Sequence, residues 1–415
     1  MTATERETAT PHPRHRRTSD ATPTDGRARL RRPRALLTPV LASVLAGVLA
    51  GCAPGDGAGG AAADGGGPSA APSRTAGAAP PATTPADRSP GTTTPEGTLL
   101  VADFGGDTVT FLHPERGPFA SVRVGTAPYG LVVGADGRAW IATAEGVAIV
   151  DTHTRKSLGR VPYRTGTGPV TDGEYRGGGM GIALAPDGRR LYVGVNVPDG
   201  PGALEVVDTA TRAVTDVVPV GRRPFDVDVS PDGAEVYATN HDSFDVTAVR
   251  ADTLATRRFE VAPYGTEGGL GSWLKPHYAA VRPDGRLLLP FEGERLAVLD
   301  PRTGRVTIER MTANTHQHGT TLTPDGTLLA VGTGPIGSGD REASLTIRAE
   351  DGTERVVPLD GPHEDVAVSA DGRTAYVTGG FTREGHWDGV TVVDLGEGTT
   401  RRLPGGERPL GIAVL

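Results

Sequence analysis

The chain has 415 residues with 60 Gly, 35 Pro, one Cys and only 5% aromatic residues, and its formal charge is −8. Residues 1–51 carry nine Arg against four acids, so the remainder is more acidic still, with 33 basic and 46 acidic residues. An acidic chain with no basic stripe excludes nucleic acid as an expected partner, and a single cysteine excludes an internal disulfide framework.

Residues 1–51 read as a targeting segment. Arg27, Arg29, Arg31, Arg32 and Arg34 precede an apolar run from Ala35 to Gly51, interrupted only by Thr38, Pro39 and Ser43. That run is short for a membrane span and has the build of a signal peptide. It ends in Leu49-Ala50-Gly51-Cys52, which resembles the lipobox of bacterial lipoproteins. The resemblance implies cleavage before Cys52, lipid on its sulfur, and an exported protein held at the outer face of the cytoplasmic membrane. Residues 52–94 are dominated by Gly, Ala, Pro, Ser and Thr with almost no large apolar side chain. Such a segment cannot bury enough surface to fold. It is expected to be a disordered tether with a reach of roughly 35 Å.

From residue 95 onward one turn recurs. Ser230-Pro231-Asp232-Gly233 has near-copies at 134–137, 185–188, 282–285, 323–326 and 369–372. The Asp-to-Asp spacings are 51, 45, 52, 41 and 46 residues, a period that marks stacked copies of one supersecondary unit. Pro pre-sets φ, Asp bonds its own backbone and Gly supplies positive φ, so the turn closes a hairpin. The unit from Pro224 reads as four strands: 225–229, 235–239, 245–249 and 257–261. Four antiparallel strands repeated in a ring make a propeller blade. The turns count six units. The chain's ends supply a turn without its strand at Pro95-Glu96-Gly97 and a strand without its turn at Pro409–Leu415. Together they complete a seventh unit and remove the free sheet edges. The fold expected for residues 95–415 is therefore all-β, a seven-bladed β-propeller closed by strands from both termini, and monomeric.

Tyr237-Ala238-Thr239-Asn240 after the turn at 230–233, and Tyr376-Val377-Thr378-Gly379 after that at 369–372, resemble the Tyr-Val-Thr-Asn (YVTN) repeats of secreted and surface-layer propellers. Val147–Asp151, Leu204–Asp208 and Val390–Asp394 are similar to that family's third strand. The resemblance speaks for the fold and is almost silent on function.

The site is sought where inner strands begin. Seven and eight residues before each turn Asp stand Tyr129/Pro128, Met180/Gly179, Phe225/Pro224, His277/Pro276, His318/Gln317 and Glu364/His363. Three neighbouring blades thus bring histidine to one channel mouth, and His316 adds a fourth. Neutral imidazoles and a carboxylate converging from rigid strands suit zinc or copper. The expected metal ligands are His277, His316, His318, His363 and Glu364. Asp365, Asp226, His241 and His386 are expected as supporting or ligand-contact residues at the same mouth. Polar lining without metal explains the same residues, with an unknown protein or small ligand bound there. Phe381, His386 and Trp387 belong to a long loop expected to roof the mouth, as does the loop at Gly332–Asp340. No catalytic constellation stands out. Lys275-Pro276-His277-Tyr278 followed by Arg282-Pro283-Asp284-Gly285 is similar to lactonase-type propellers, which would imply a hydrolase using channel His, Glu and Arg.

Overall fold

The computed structural model describes residues 94–262, 275–291, 293–334, 342–380 and 385–415. Residues 1–93, which include Cys52 and nearly all of the expected signal segment and tether, and Phe381 lie outside the described residues. The strands, β1 to β28 in chain order, form seven antiparallel four-stranded sheets. Six are contiguous meanders. In the fourth blade β12 (Pro224–Val229), β13 (Glu235–Asn240), β14 (Asp245–Arg250) and β15 (Thr256–Glu260) lie side by side in that order.

The seventh sheet is shared by the ends of the chain. β28 (Pro409–Val414) pairs with β1 (Leu99–Asp103), which continues into β2 (Thr108–His113) and β3 (Gly117–Arg123). Leu99 faces Val414 and Leu100 faces Ala413 across that seam. Bonds from Gly97 N to Leu415 O (2.7 Å) and from Leu415 N to Thr98 O (2.8 Å) extend it. Every inner strand therefore has a partner, β28 finding its own at the other end of the described domain.

The repeated turns have the expected chemistry. Ser230 Oγ and Ala234 N both donate to Asp232 Oδ1, at 2.6 and 3.0 Å. Gly233 takes φ 70°, and Gly137, Gly188, Gly285, Gly326 and Gly372 take 69–87° at the same place. Apolar residues on both faces of each sheet pack between blades. Tyr192, Leu204 and Val206 of the third blade meet Val227, Val236 and Ala238 of the fourth. Each large side chain so buried stabilises by about 1.5–3 kcal/mol.

Around the channel the blades touch through backbone. A Cβ on Gly181 would lie 2.4 Å from Asp226 Cα of the next blade, and one on Gly319 2.5 Å from Asp365 Cα. Where the equivalent residue is aspartate, its carboxylate makes the connection. Asp226 Oδ2 accepts from Ala279 N of the next blade at 2.8 Å.

Candidate functional site

The residues seven positions before each turn Asp do form one layer across the channel end. Tyr129, Met180, Phe225 and Leu410 pack there with Phe104 as an apolar half. His277, His318 and Glu364 make the other half, all three buried. Contacts run from ring to ring. Tyr129 meets Phe225 edge-on at 5.8 Å between centroids, Phe225 meets His277 at 5.2 Å, and His277 stacks on His318 at 4.0 Å. His318 Nδ1 lies 3.0 Å from Glu364 Oε2. Glu364 Oε1 accepts from Tyr278 Oη at 2.9 Å and from Tyr129 Oη at 3.5 Å. Burial, with Glu364 next in weight, pushes both phenols well above their usual range, so both stay protonated donors.

His316 precedes β20 (Gln317–Leu322), where its carbonyl accepts from Thr333 N at 2.8 Å. Its Nε2 lies 3.2 Å from His318 Nε2. His277, His316 and His318 each present a ring nitrogen within 4.8 Å of the others. The Glu364 carboxylate thus stands behind His318 Nδ1, while His318 Nε2 faces His316. A carboxylate behind an imidazole in this way fixes the tautomer a metal needs and raises its basicity. Two ligands of one tetrahedral zinc, each about 2.0–2.1 Å from the ion, stand about 3.3 Å apart, which matches the spacing of the two Nε2 atoms. The donor set therefore fits zinc or copper.

His241 extends the row. It lies in a short 3-10 turn, His241–Ser243, between β13 and β14. Its ring centroid is 4.5 Å from that of His277, and its Nδ1 is 2.8 Å from Asp242 Oδ1. Burial lowers its pKa to about 3 despite Asp242, leaving a neutral imidazole. Burial also raises Asp242, but the His241 bond and the charges of Arg223 and Lys275 outweigh it and hold the carboxylate ionised.

The structure does not bring His363 to this group. Its Nδ1 bonds Gly361 O at 2.6 Å and its Nε2 bonds Thr391 Oγ1 at 2.7 Å, both inside its own blade. It stands one residue before Glu364, and its two ring bonds hold it apart from the clustered imidazoles. Glu364 reaches the cluster as the partner of His318 Nδ1 and not as one of the three clustered ligands. Asp226 and Asp365 lie one residue deeper. Asp365 accepts from Val366 N at 2.8 Å. Burial raises the two carboxyls to about 6 and about 8. Their bonds tie backbone together. His386 opens β26 (His386–Asp394) as an exposed residue, apart from the clustered imidazoles. Trp387 packs on His363 at 5.9 Å and under Arg402 at 4.5 Å. Of the loop 332–340, residues 335–340 lie outside the described residues.

The sequence reading missed Tyr129, Tyr278 and Asp242 as partners. Asp242 follows His241 directly and Tyr278 follows His277, so adjacency was the available signal. Beneath the layer lies a channel cavity of about 510 Å³. Asp226, Asp228, Asp365, Tyr278 and Thr320 line it; the clustered histidines do not.

No family model and no curated protein matches the chain. Solved structures do. A functionally unknown protein from Desulfotomaculum acetoxidans aligns with TM-score 0.55 and 13% identity, over 77% of this chain and 98% of that one. Virginiamycin B lyase from Staphylococcus aureus gives 0.53 and 16%, over 69% and 88%. Kuenenia stuttgartiensis hydrazine synthase gives 0.51 and 20%, over 65% and 76%. At such identities the likeness shows the propeller fold alone.

Proposed function

We propose that this is an exported, lipid-anchored binding protein of the YVTN-repeat type, whose channel-end histidines hold one divalent metal, zinc or copper. The observation that carries the metal reading is the buried trio His277, His316 and His318, with ligand nitrogens within 4.8 Å of one another. Glu364 behind His318 supports it. Three buried imidazoles crowded together cost desolvation, which a shared ion offsets. In this reading the metal supplies a Lewis-acidic position for a small ligand or a partner's side chain. His277, His316 and His318 hold it, Glu364 and Tyr278 orient His318, and the apolar half of the layer excludes water.

The anchoring half rests on the lipobox-like Leu49-Ala50-Gly51-Cys52 and the tether 52–94. Residues 1–51 are removed in this reading, Cys52 carries lipid, and a monomeric domain stands off the outer face of the cytoplasmic membrane. Intact-mass measurement of protein from the native membrane tests this. Cleavage before Cys52 with added acyl mass supports it; an unmodified Cys52 refutes it.

A second reading is a lactonase-type hydrolase. The observation favouring it is that His277 and Glu364 belong to one network with a protonated Tyr278, a set able to donate and accept protons. Hydrolysis across a lactone panel, abolished in His277→Ala, would establish it; no turnover by the metal-loaded protein would discard it.

A further inference from the structure

Two positions before Phe225, His277 and His318 of the layer stand Arg223, Lys275 and His316, in three consecutive blades. His316 belongs to the imidazole cluster. The other two are cations, and both close on one carboxylate. Arg223 Nη2 is 3.0 Å from Asp242 Oδ2, and Lys275 Nζ is 3.1 Å from Asp242 Oδ1. That same Oδ1 is bonded to His241, whose ring adjoins His277. Two cations against one carboxylate leave a positive charge over, one ring away from the cluster.

Arg223 is held with unusual care. Its φ is 54°, a left-handed conformation that the third blade supplies with a glycine, Gly178, at the equivalent position. A side chain there carries a steric cost. The guanidinium lies 3.8 Å over the Tyr175 ring centroid, which fixes its plane. Its Nε is buried with no hydrogen-bond partner. Lys275 is one of two lysines, with Lys156, among 42 Lys and Arg residues. Its compact ammonium has three donors, of which Asp242 takes one. A planar fork with an uncommitted buried donor beside an ammonium is suited to an oxyanion.

We propose that Arg223 and Lys275 form a subsite for a small oxyanion, of phosphate or carboxylate type, at the edge of the histidine cluster. It deepens the metal reading by making the metal's ligand an anion, yet the cationic pair can bind without metal. The test is calorimetric titration of inorganic phosphate and of acetate into the purified full-length chain, both metal-free and zinc-loaded, with Arg223→Gln and Lys275→Gln in parallel. Saturable binding of either anion is expected, weaker by about tenfold in each variant, since each loses a charge-assisted bond. Zinc content should be unchanged in both. Arg223→Lys keeps the charge without the fork and should recover only part of the affinity. Equal affinities in wild type and both Gln variants, or no saturable binding by wild type, overturn the subsite. If Arg223→Gln fails to fold, Lys275→Gln decides alone. Mutation-sensitive anion binding in a protein that takes up no zinc would overturn the metal reading and leave the subsite standing.

Discussion

Replacing Gly319 by alanine should loosen the propeller and the histidine cluster together. A Cβ at Gly319 would lie 2.5 Å from both Asp365 Cα and Glu364 O of the next blade. Carbon atoms pack at about 3.5–4.0 Å, so the two blades must part by about 1 Å at the channel. Overpacking of this kind costs about 1–3 kcal/mol. The bond from Gly319 N to Glu364 O, 2.8 Å long, is also strained or lost, which adds about 0.5–1.5 kcal/mol. Together the loss is about 1.5–4.5 kcal/mol. Because Glu364 also holds His318, zinc affinity should fall by about 10–100-fold. Gly326→Ala is the control. It has φ 87° and nothing within 4 Å of a Cβ. It should cost only the left-handed penalty, about 1–2 kcal/mol. Guanidinium denaturation with a chelator present reads stability alone, and a zinc-competition titration reads the site. A Gly319→Ala midpoint at or above that of Gly326→Ala would refute the reasoning.

Asp103 is buried with Thr110 and Thr108 donating to it at 2.5 and 2.7 Å, and burial raises its carboxyl from 3.8 to about 7. A raised folded pKa contributes stability that is complete below about pH 4 and is lost as pH rises through about 7. The loss approaches about 4 kcal/mol, and Asp103→Asn should abolish that slope between pH 4 and 7 in denaturant titrations; parallel wild-type and variant profiles would count against it. Arg176 is buried with no ion pair among the described residues, and donates to Ala127 O (2.6 and 3.0 Å), Gly177 O (3.1 Å) and Gly179 O (2.9 Å). Arg176→Met strands these carbonyls and should cost about 3 kcal/mol or more in the same assay; unchanged stability would show that water replaces the guanidinium. Deleting residues from Pro409 onward removes the β28 partner of β1, and the protein should then lack a cooperative thermal transition, measured by circular dichroism; a wild-type melt would contradict ring closure by that strand.

The blades were legible because the turn at 230–233 repeats with chemistry that leaves few conformations open. The same register placed Tyr129, Phe225, His277, His318 and Glu364 in one layer, because equivalent positions on equivalent strands must meet at the channel. Where the register was read too broadly it misplaced a residue. His363 was counted with Glu364, but its ring bonds to Gly361 and Thr391 hold it apart. His386 was counted as a loop residue, but it opens β26 and is exposed there. The Glu364–His318 contact and the convergence of Arg223 and Lys275 on Asp242 depend on rotamers of side chains far apart in sequence. No local pattern encodes those.

The central claim is that His277, His316 and His318 hold a metal. Elemental analysis of untagged full-length protein, after dialysis against zinc or copper and removal of loose ions, tests it most directly. The account predicts about one equivalent per chain, falling below about a tenth in His316→Ala and His318→Ala, since a site left with two ligands binds far more weakly. Wild-type protein that retains less than about a tenth of an equivalent of either metal would contradict it.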